Sequence, residues 1–215
     1  MNIFNKYVED YDKWYDANKY AYLSELKALK QIIPKKGKGL EIGVGTGRFA
    51  GPLGVSVGID PSRKMLELAK RRGIKTFSGR GERLPFRECE FDYCLMAITI
   101  CFVSEPGRVI KEAERVLKKN GKLIIAIVDK DSHLGRYYMK KKLQGHRFYR
   151  EANFFSSREI VELLTKHGFD NLIAVQTVFK PLKEIKELEE PEKGFGKGGF
   201  VAVCGTKTRG MRRVP

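Results

Sequence analysis

Three glycines at alternate positions follow an apolar run and an acid in L-E-I-G-V-G-T-G-R-F, at residues 40–49. Gly43, Gly45 and Gly47 suit a turn with positive φ angles, whose backbone a ligand can approach closely. We expect the turn to open onto a helix N-terminus, where free N–H groups favour a carboxylate or phosphate. The spacing therefore predicts a ligand-binding turn between a strand and a short helix.

A second acid, Asp60, ends the next apolar run, V-S-V-G-I-D at residues 55–60. In nucleotide-binding α/β folds an acid at this place holds a ribose diol. The two stretches together predict a cofactor that carries adenosine.

The spacing of the glycines and the position of Glu41 separate two kinds of cofactor. The dinucleotide fingerprint is G-x-G-x-x-G, whereas the third glycine here comes one position early. Glu41 precedes the first glycine, where a carboxylate would repel a pyrophosphate but would attract or orient an ammonium group. A cationic or zwitterionic cofactor is therefore favoured over a dinucleotide.

Residues 41–49 resemble motif I of the class I S-adenosylmethionine-dependent methyltransferases, and specifically the large subgroup that includes ubiquinone- and menaquinone-biosynthesis enzymes. Three further stretches resemble the same superfamily: G-R-G-E-R-L-P-F at 79–86, F-D-Y-C-L-M-A at 91–97 and the turn K-K-N-G-K at 118–122. The resemblance covers roughly residues 20–130 well and implies S-adenosylmethionine as the cofactor. The cofactor-binding residues that it implies are Glu41, Gly43, Val44, Gly45, Thr46, Gly47, Arg48, Asp60, Pro61, Ser62, Met65, Gly81, Glu82, Arg83, Leu84, Ala97 and Ile98.

The chain departs from the family pattern at two places. Arg80 stands where an acid often accepts the adenine amino hydrogens, so backbone groups of residues 81–83 would read the base, while Arg80 stacks on the ring or faces water. Residues 97–100 lack the N/D-P-P-Y/F-type motif common in enzymes that methylate exocyclic or amide nitrogens. The strand exit is expected to face the reaction centre. The missing motif therefore makes methylation of exocyclic or amide nitrogens a less favoured reaction.

Residues 129–155 are predicted to form a lid on the acceptor side, with basic residues interleaved among Tyr137, Tyr138, Phe148 and Tyr149. Such a segment can hold an anionic small substrate, a membrane-associated substrate or nucleic acid, or it can be a solvated helix. Its histidines, His133 and His146, are weak candidates for a general base, and the alternative is an exposed or packing role. No metal site is predicted, since Asp129 and Asp131 have no partner ligand placed with them.

Residues 3–33 predict one or two amphipathic helices rich in aromatic side chains. Either these side chains simply pack on the sheet, or Tyr11, Tyr15 or Tyr20 covers the cofactor cleft. The sequence does not choose among the three.

The composition bounds the partners and the compartment. The 215 residues carry a formal net charge of +16, which allows an RNA partner, although a lysine-rich surface like that of heat-adapted proteins explains most of it. The four cysteines lack C-x-x-C spacing and are expected to be free thiols. Without an apolar run of ~20 residues or a signal-like N-terminus, a cytoplasmic location and no transmembrane segment are expected.

The elements that must position these residues alternate between strand and helix, which is typical of a doubly wound parallel sheet. We predict an α/β fold, a Rossmann-like methyltransferase fold with a mostly parallel seven-stranded sheet and a C-terminal antiparallel hairpin of strands 172–180 and 199–206. The connection at 181–198 is expected to be a mobile loop. Ser156 and Glu159 form a capping box before the last helix.

One methyltransferase domain is predicted over residues 1–206, with a helical cap at about 1–33 and a basic, disordered tail at 207–215. The leading hypothesis is methyl transfer from S-adenosylmethionine to a small or medium-sized acceptor by in-line displacement. The alternatives are a tRNA or rRNA methyltransferase, a basic nucleotide- or RNA-binding protein without catalysis, and a nucleotide-binding oxidoreductase. The sequence identifies neither the acceptor nor the oligomeric state.

Overall fold

The computed structural model describes residues 3–208, and within them eight strands form one sheet. The strands are β1 (Gly39–Ile42), β2 (Val57–Asp60), β3 (Lys75–Ser78), β4 (Phe91–Ala97), β5 (Leu117–Val128), β6 (Phe169–Thr177), β7 (Glu192–Lys193) and β8 (Phe200–Lys207). Their order is β3-β2-β1-β4-β5-β8-β6-β7. The first five pair in parallel, and the last three pair antiparallel to their neighbours.

Eight helices in the same residues cover the sheet and its edges. They are α1 (Ile3–Lys6), α2 (Val8–Ala17), α3 (Lys19–Ile32), α4 (Ala50–Leu53), α5 (Arg63–Arg71), α6 (Pro106–Val116), α7 (His133–Leu143) and α8 (Ser157–Lys166). Short 3-10 turns span Ile100–Phe102 and Leu182–Glu184. The predicted capping box of Ser156 and Glu159 at the start of α8 is confirmed.

The sheet separates two apolar layers, which is why its central strands are buried on both faces. In β5, Ile124 and Ala126 pack with α3, whereas Leu123 and Ile125 pack with α6 and α8. This alternation follows from the two-residue side-chain period of a strand. The predicted doubly wound, mostly parallel α/β sheet is therefore confirmed.

The C-terminal strands extend the sheet beyond the predicted seven strands. Strand β8 lies between β5 and β6 and pairs antiparallel with both, so the predicted antiparallel pair is present. The additional strand is β7, two residues that pair with Val175 and Gln176 at the edge. The loop predicted at 181–198 therefore carries a turn and a strand of its own, and the side-chain oxygen Oε1 of Gln176 accepts from Lys197 N and Gly198 N at 2.9 and 2.8 Å.

Two stretches that the sequence assigned to a turn and to the tail belong to strands, because pairing continues through polar residues. The K-K-N-G-K stretch, expected as a turn, is the start of β5, with Asn120 at φ +62°. The register with β4 shifts there, between Phe91 and Tyr93. At the other end, Lys207, assigned to the disordered tail, closes β8 and is buried beside Glu114. Residues 209–215 of the predicted tail lie outside the described residues.

The four cysteines are free thiols, as expected: Cys94, Cys101 and Cys204 are buried and Cys89 is exposed. A search of residues 3–208 finds no helix of the length and apolarity that crossing a membrane requires.

Candidate functional site

The glycine turn follows β1 directly and is held by hydrogen bonds to β2, since Gly43 N and Val44 N both donate to the Ile59 carbonyl at 2.8 and 3.0 Å. A Cβ atom at Gly43 would collide with the Thr99 side chain, so this glycine permits close packing. A Cβ atom at Gly45 would instead meet only the Tyr11 ring, at 3.8 Å. Gly45 is thus the position where backbone faces open space.

The helix after this turn is shorter than an anion site requires. Helix α4 has four residues, Ala50–Leu53, and ends at Gly54 with φ +71°, so the short helix expected from the sequence is present. Its dipole is correspondingly small. Any group bound at the turn would therefore meet the backbone of the turn itself, and the expected contribution of a helix N-terminus is minor.

Two acids stand at the carboxyl ends of the neighbouring strands β1 and β2. Glu41 is 1% exposed, and its Oε2 has no hydrogen-bond partner among residues 3–208. Burial raises the pKa of Glu41 well above its ordinary value, the Ala50 backbone N–H bonded to it lowers the pKa, and the nearby Asp60 raises it. This is a buried carboxyl with one oxygen left unsatisfied, which is unfavourable without a partner.

Asp60 joins the glycine turn to the start of α5. Its Oδ2 accepts from Gly45 N at 3.0 Å, and its Oδ1 accepts from Ser62 N at 2.8 Å. Burial is the largest influence on the pKa of Asp60 and raises it, against these two backbone donors. The carboxylate therefore fixes the shape of the turn while remaining only partly buried.

Of the three tyrosines considered as a cover for the cleft, Tyr11 is the one that lies within 4 Å of a Cβ atom built at Gly45. Its ring lies beside Gly45, and its pKa is raised by burial first and then by the charges of Asp60 and Glu41. Tyr15 is buried against Phe49 and accepts or donates a hydroxyl bond to Tyr11 at 2.8 Å. Tyr20 is 41% exposed and does not line the pocket that Tyr11 and Tyr15 line.

The side chain of Arg48, a residue implied as a cofactor contact, is paired with helix α2. Its guanidinium donates to the carboxylates of Asp12 and Asp16 at 2.6–3.0 Å, and Arg72 also donates to Asp12 at 2.8 Å. The Arg48 carbonyl accepts from the Tyr22 hydroxyl at 2.5 Å. Arg48 therefore fastens the N-terminal helices onto the glycine turn.

The other turn residues are packed rather than open. Val44 and Thr46 are buried, with Val44 against Gly58 and Gly47 against Ile74 and Ala69. These side chains hold the turn against β2 and α5.

The residues after β2 are drawn to the same edge of the sheet. Pro61 is exposed, and Ser62 caps α5 while donating to Asn5 Oδ1 at 3.0 Å. Met65 is 1% exposed on the inner side of α5.

Some groups of the implied adenine-binding segment after β3 already form hydrogen bonds within the protein. The Glu82 carboxylate accepts from Ser104 N at 3.2 Å, and Leu84 is buried and donates its N–H to Glu112 at 2.7 Å. Gly81 packs against Ile42. Arg83 is exposed, and so is Arg80, which stands in the place of the usual acid.

The exit of β4 has an unusual backbone. Ala97 is buried, and Ile98 follows with φ +53° and donates its N–H to Ala126 O at 2.8 Å. A β-branched residue in the left-handed region is strained, and such strain gathers at functional sites.

A cavity of about 400 Å³ lies beyond the carboxyl ends of β4 and β5, and Ile98 and Val128 form part of its floor. Aromatic rings from α2, α7 and the segment that follows α7 form most of its wall: Tyr11, Trp14, Tyr15, Tyr138, Phe148, Tyr149 and Phe154. We call this the aromatic cavity. It has the size of a small-molecule site.

The fold and the β1–β2 edge match known proteins. A family model described as "Methyltransferase domain" matches residues 40–125. A crystal structure from Thermotoga maritima, described as a SAM-dependent methyltransferase, possible histamine N-methyltransferase, is 48% identical to this chain with a TM-score of 0.92, over 95% of this chain and 98% of that one. The chain belongs to the class I S-adenosylmethionine-dependent methyltransferases.

Two curated relatives match more than nine-tenths of the chain. An uncharacterized protein of Methanocaldococcus jannaschii is 50% identical over 207 residues, which are 96% of this chain and 100% of the relative. A demethylmenaquinone methyltransferase of Lactococcus lactis is 27% identical, over 94% of this chain and 82% of the relative. The resemblance of motif I to this superfamily is thereby confirmed.

The structure separates the two histidines of this methyltransferase that were considered as bases. His146 lines the aromatic cavity and stacks on Tyr149, with ring centroids 4.8 Å apart. Burial, followed by Lys141 and Arg147, lowers its pKa. His133 does not line the cavity, and its Nε2 lies 3.1 Å from the Lys180 carbonyl oxygen.

One functional candidate, Glu25 on α3, was missed in the sequence. It is 1% exposed and lines the aromatic cavity. The available signal was its place on the apolar face of the helix, because Tyr22, Leu29 and Ile32 lie three, four and seven residues away and are buried too. Within the described residues, the structure brings together no group of three or more histidines, cysteines or acids that could hold a metal.

Proposed function

We propose that S-adenosylmethionine lies across the carboxyl ends of β1 and β2, and that its methyl group passes to a small or medium-sized acceptor in the aromatic cavity. One observation carries this proposal: the unpartnered Oε2 of the buried Glu41 lies at the strand end that leads into the open backbone of Gly45.

The groups at this edge of the sheet match the ammonium group and the ribose of the cofactor. A buried carboxyl with one free oxygen is stabilised by a cation or a strong donor, and the ammonium group of the cofactor's amino-acid end is such a partner. Asp60, whose carboxylate remains partly accessible, offers an acceptor for the ribose hydroxyls. Gly45 has no side chain to obstruct a ligand that lies between these two acids.

The adenine would lie toward the residues after β2 and β3. Pro61, Met65 and the backbone of Gly81 and Arg83 are the groups we assign to it. Glu82 and Leu84 support this segment through Ser104 and Glu112 and are not proposed as direct contacts through their side chains.

The bound cofactor supplies an activated methyl group on a positively charged sulfur. The contribution of the chain is to hold donor and acceptor in near-attack geometry and to exclude water. Tyr11 is suited to this, because its ring borders Gly45 on one side and the aromatic cavity on the other. Ile98, with its strained backbone at the end of β4, forms the floor where the two compartments meet.

A small acceptor is favoured over RNA by the walls of the cavity. Three segments, α2, α7 and the residues from His146 to Phe155, surround a volume of about 400 Å³. Arg147, one of the basic residues at this cavity, is paired with Asp10 at 2.8 Å, so its charge is already compensated. The two relatives named above as methyltransferases for demethylmenaquinone and, possibly, histamine also carry names of small acceptors.

Isothermal titration calorimetry with S-adenosylmethionine tests the proposal. Asp60→Ala and Glu41→Gln should each weaken binding by about 10- to 100-fold, since each removes a charged hydrogen-bonding group worth ~1–3 kcal/mol. Glu162→Gln on the exposed side of α8 is the matched control and should bind like the parent protein. Unchanged affinity in both site variants, or no binding by the parent at millimolar cofactor, would refute the assignment.

A further inference from the structure

The aromatic cavity contains a buried acid that the cofactor assignment does not use. Glu25 lines this cavity, and its Oε2 has no hydrogen-bond partner among residues 3–208. Burial alone raises the pKa of Glu25 to about 8, so no neighbouring donor or cation offsets the loss of water around it. A buried carboxyl in this state is unfavourable for the fold by itself.

The cavity's own cations do not neutralise Glu25. Lys141, Arg147 and Lys183 line the cavity, but no ion pair joins any of them to Glu25 in the described part of the chain. Arg147 is paired with Asp10 and lies over the Tyr7 ring, 4.4 Å from its centroid. The acid therefore lacks a counter-ion that the protein could have supplied.

Aromatic rings surround the same space. Tyr15 and Tyr138 lie close enough to Glu25 for its charge to raise their pKa values. Trp14 packs edge-on to Tyr15 with centroids 5.2 Å apart, and Tyr149 packs beside Tyr138 at 4.6 Å. Electron-rich ring faces attract organic cations when water is excluded. A carboxylate among such rings is a combination that favours a positively charged ligand over a neutral or anionic one.

We propose that Glu25 is the specificity-determining counter-ion of the acceptor site, and that the acceptor is a small organic amine whose cationic nitrogen lies between Glu25 and the surrounding rings. This inference rests on the proposed function, because it assigns the acceptor class of the same site. Pairing with the ligand supplies the partner that Glu25 lacks in the protein. The basic residues at the cavity would by contrast have favoured an anionic acceptor.

Matched probes that differ only in charge test this inference. Trp14 is the single tryptophan of the sequence and lines the cavity, so its fluorescence reports binding there. With S-adenosylhomocysteine present, which permits no turnover, the probes are 2-phenylethylamine, 2-phenylethanol and 3-phenylpropionate, followed by a panel of such amine, alcohol and acid triplets. The parent protein should bind the amines at least about 10-fold more tightly than their neutral analogues, the scale of one charge-assisted contact.

The variant Glu25→Gln should remove this preference while retaining its affinity for S-adenosylhomocysteine. The control Glu162→Gln should keep both. The inference is overturned if no amine of the panel binds the parent better than its neutral partner, including the result that none binds, or if Glu25→Gln keeps the preference. Calorimetry with S-adenosylhomocysteine separates the two failures: a parent protein that binds the cofactor product but not amines refutes this inference alone, whereas one that does not bind the product refutes the proposed function.

Discussion

Glu41 and Glu25 are both buried glutamates with one unsatisfied oxygen, yet they are built into the molecule in different ways. Glu41 lies on β1, between β2 and β4, where the Ala50 N–H and Asp60 both act on its carboxyl. Glu25 lies on a helix, and burial is the sole influence on its pKa. The acid of the proposed cofactor end thus lies in a partly polar setting, whereas the acid of the proposed acceptor end lies among rings.

The two ends differ in whether backbone or side chains determine their shape. The proposed cofactor end has a fixed backbone arrangement for one ligand, because Asp60 accepts a hydrogen bond from Gly45 N in the glycine turn. The acceptor end is shaped by side chains from α2, α3, α7 and the β4 exit, so its chemistry depends on a few residues that can differ between related enzymes.

The largest effect is expected in the pH dependence of folding without ligand. The pKa of Glu25 is raised to about 8 in the folded protein from 4.5, so the folded state retains a proton that the unfolded state has lost, and stability falls as pH rises between these values. Glu25→Gln should remove this loss. Between pH 5 and pH 9 the free energy of unfolding of the variant should therefore rise by roughly 3–5 kcal/mol relative to that of the parent. Urea unfolding of both proteins across this range measures it.

The three tyrosines whose pKa values Glu25 raises do not obscure this measurement. The pKa values of Tyr15 on α2 and Tyr138 on α7 lie well above 10, and that of Tyr22 on α3 is raised to about 12. None of them titrates between pH 5 and 9. Parallel stability curves for the parent and Glu25→Gln would mean that Glu25 is not desolvated, and the contrast with Glu41 would disappear.

A smaller effect should distinguish backbone strain from ligand approach at the cofactor end. Gly45 and Gly54 both have left-handed φ angles, +52° and +71°, but Gly45 borders the cleft whereas nothing lies within 4 Å of a Cβ atom at Gly54. Alanine at either position should destabilise the fold by a similar amount, about 1 kcal/mol. Only Gly45→Ala should also weaken S-adenosylmethionine binding, by about 10-fold, because its methyl group occupies the space of the ligand. Equal cofactor affinities for the two variants would contradict the proposed orientation.

The smallest effect concerns the two histidines. His146 borders the aromatic cavity and His133 does not, so His146→Ala should weaken 2-phenylethylamine binding by about 3-fold through the lost ring contact, an energy of ~0.6 kcal/mol. His133→Ala should bind the amine like the parent and lose only the contact with the Lys180 carbonyl. A larger loss from His133→Ala than from His146→Ala would show that the acceptor site lies elsewhere.

The placement of Glu41, the glycine turn and Asp60 at neighbouring strand ends could be predicted because these residues are local in sequence. Glu41, the glycine turn and Asp60 lie within twenty residues, and each has a residue type that its position requires. The doubly wound, mostly parallel sheet could be predicted from the alternation of strands and helices along the chain. Even here, the sequence did not reveal that Arg48 would be bound by Asp12 and Asp16, because the N-terminal helix returns to the turn only in the folded chain.

The composition of the proposed acceptor end could not be predicted, because its side chains come from segments that are far apart in sequence. Helix α2 places the Tyr11 ring beside Gly45, and Glu25 of α3 lines the same cavity as Leu134 and Tyr138 of α7. The sequence by itself determined the family, the sheet and the positions of Glu41 and Asp60, because short-range spacing fixes a turn between two strands. Only the packing of distant helices decided which acid is deprived of water, because desolvation depends on every neighbour at once and on no single stretch of chain.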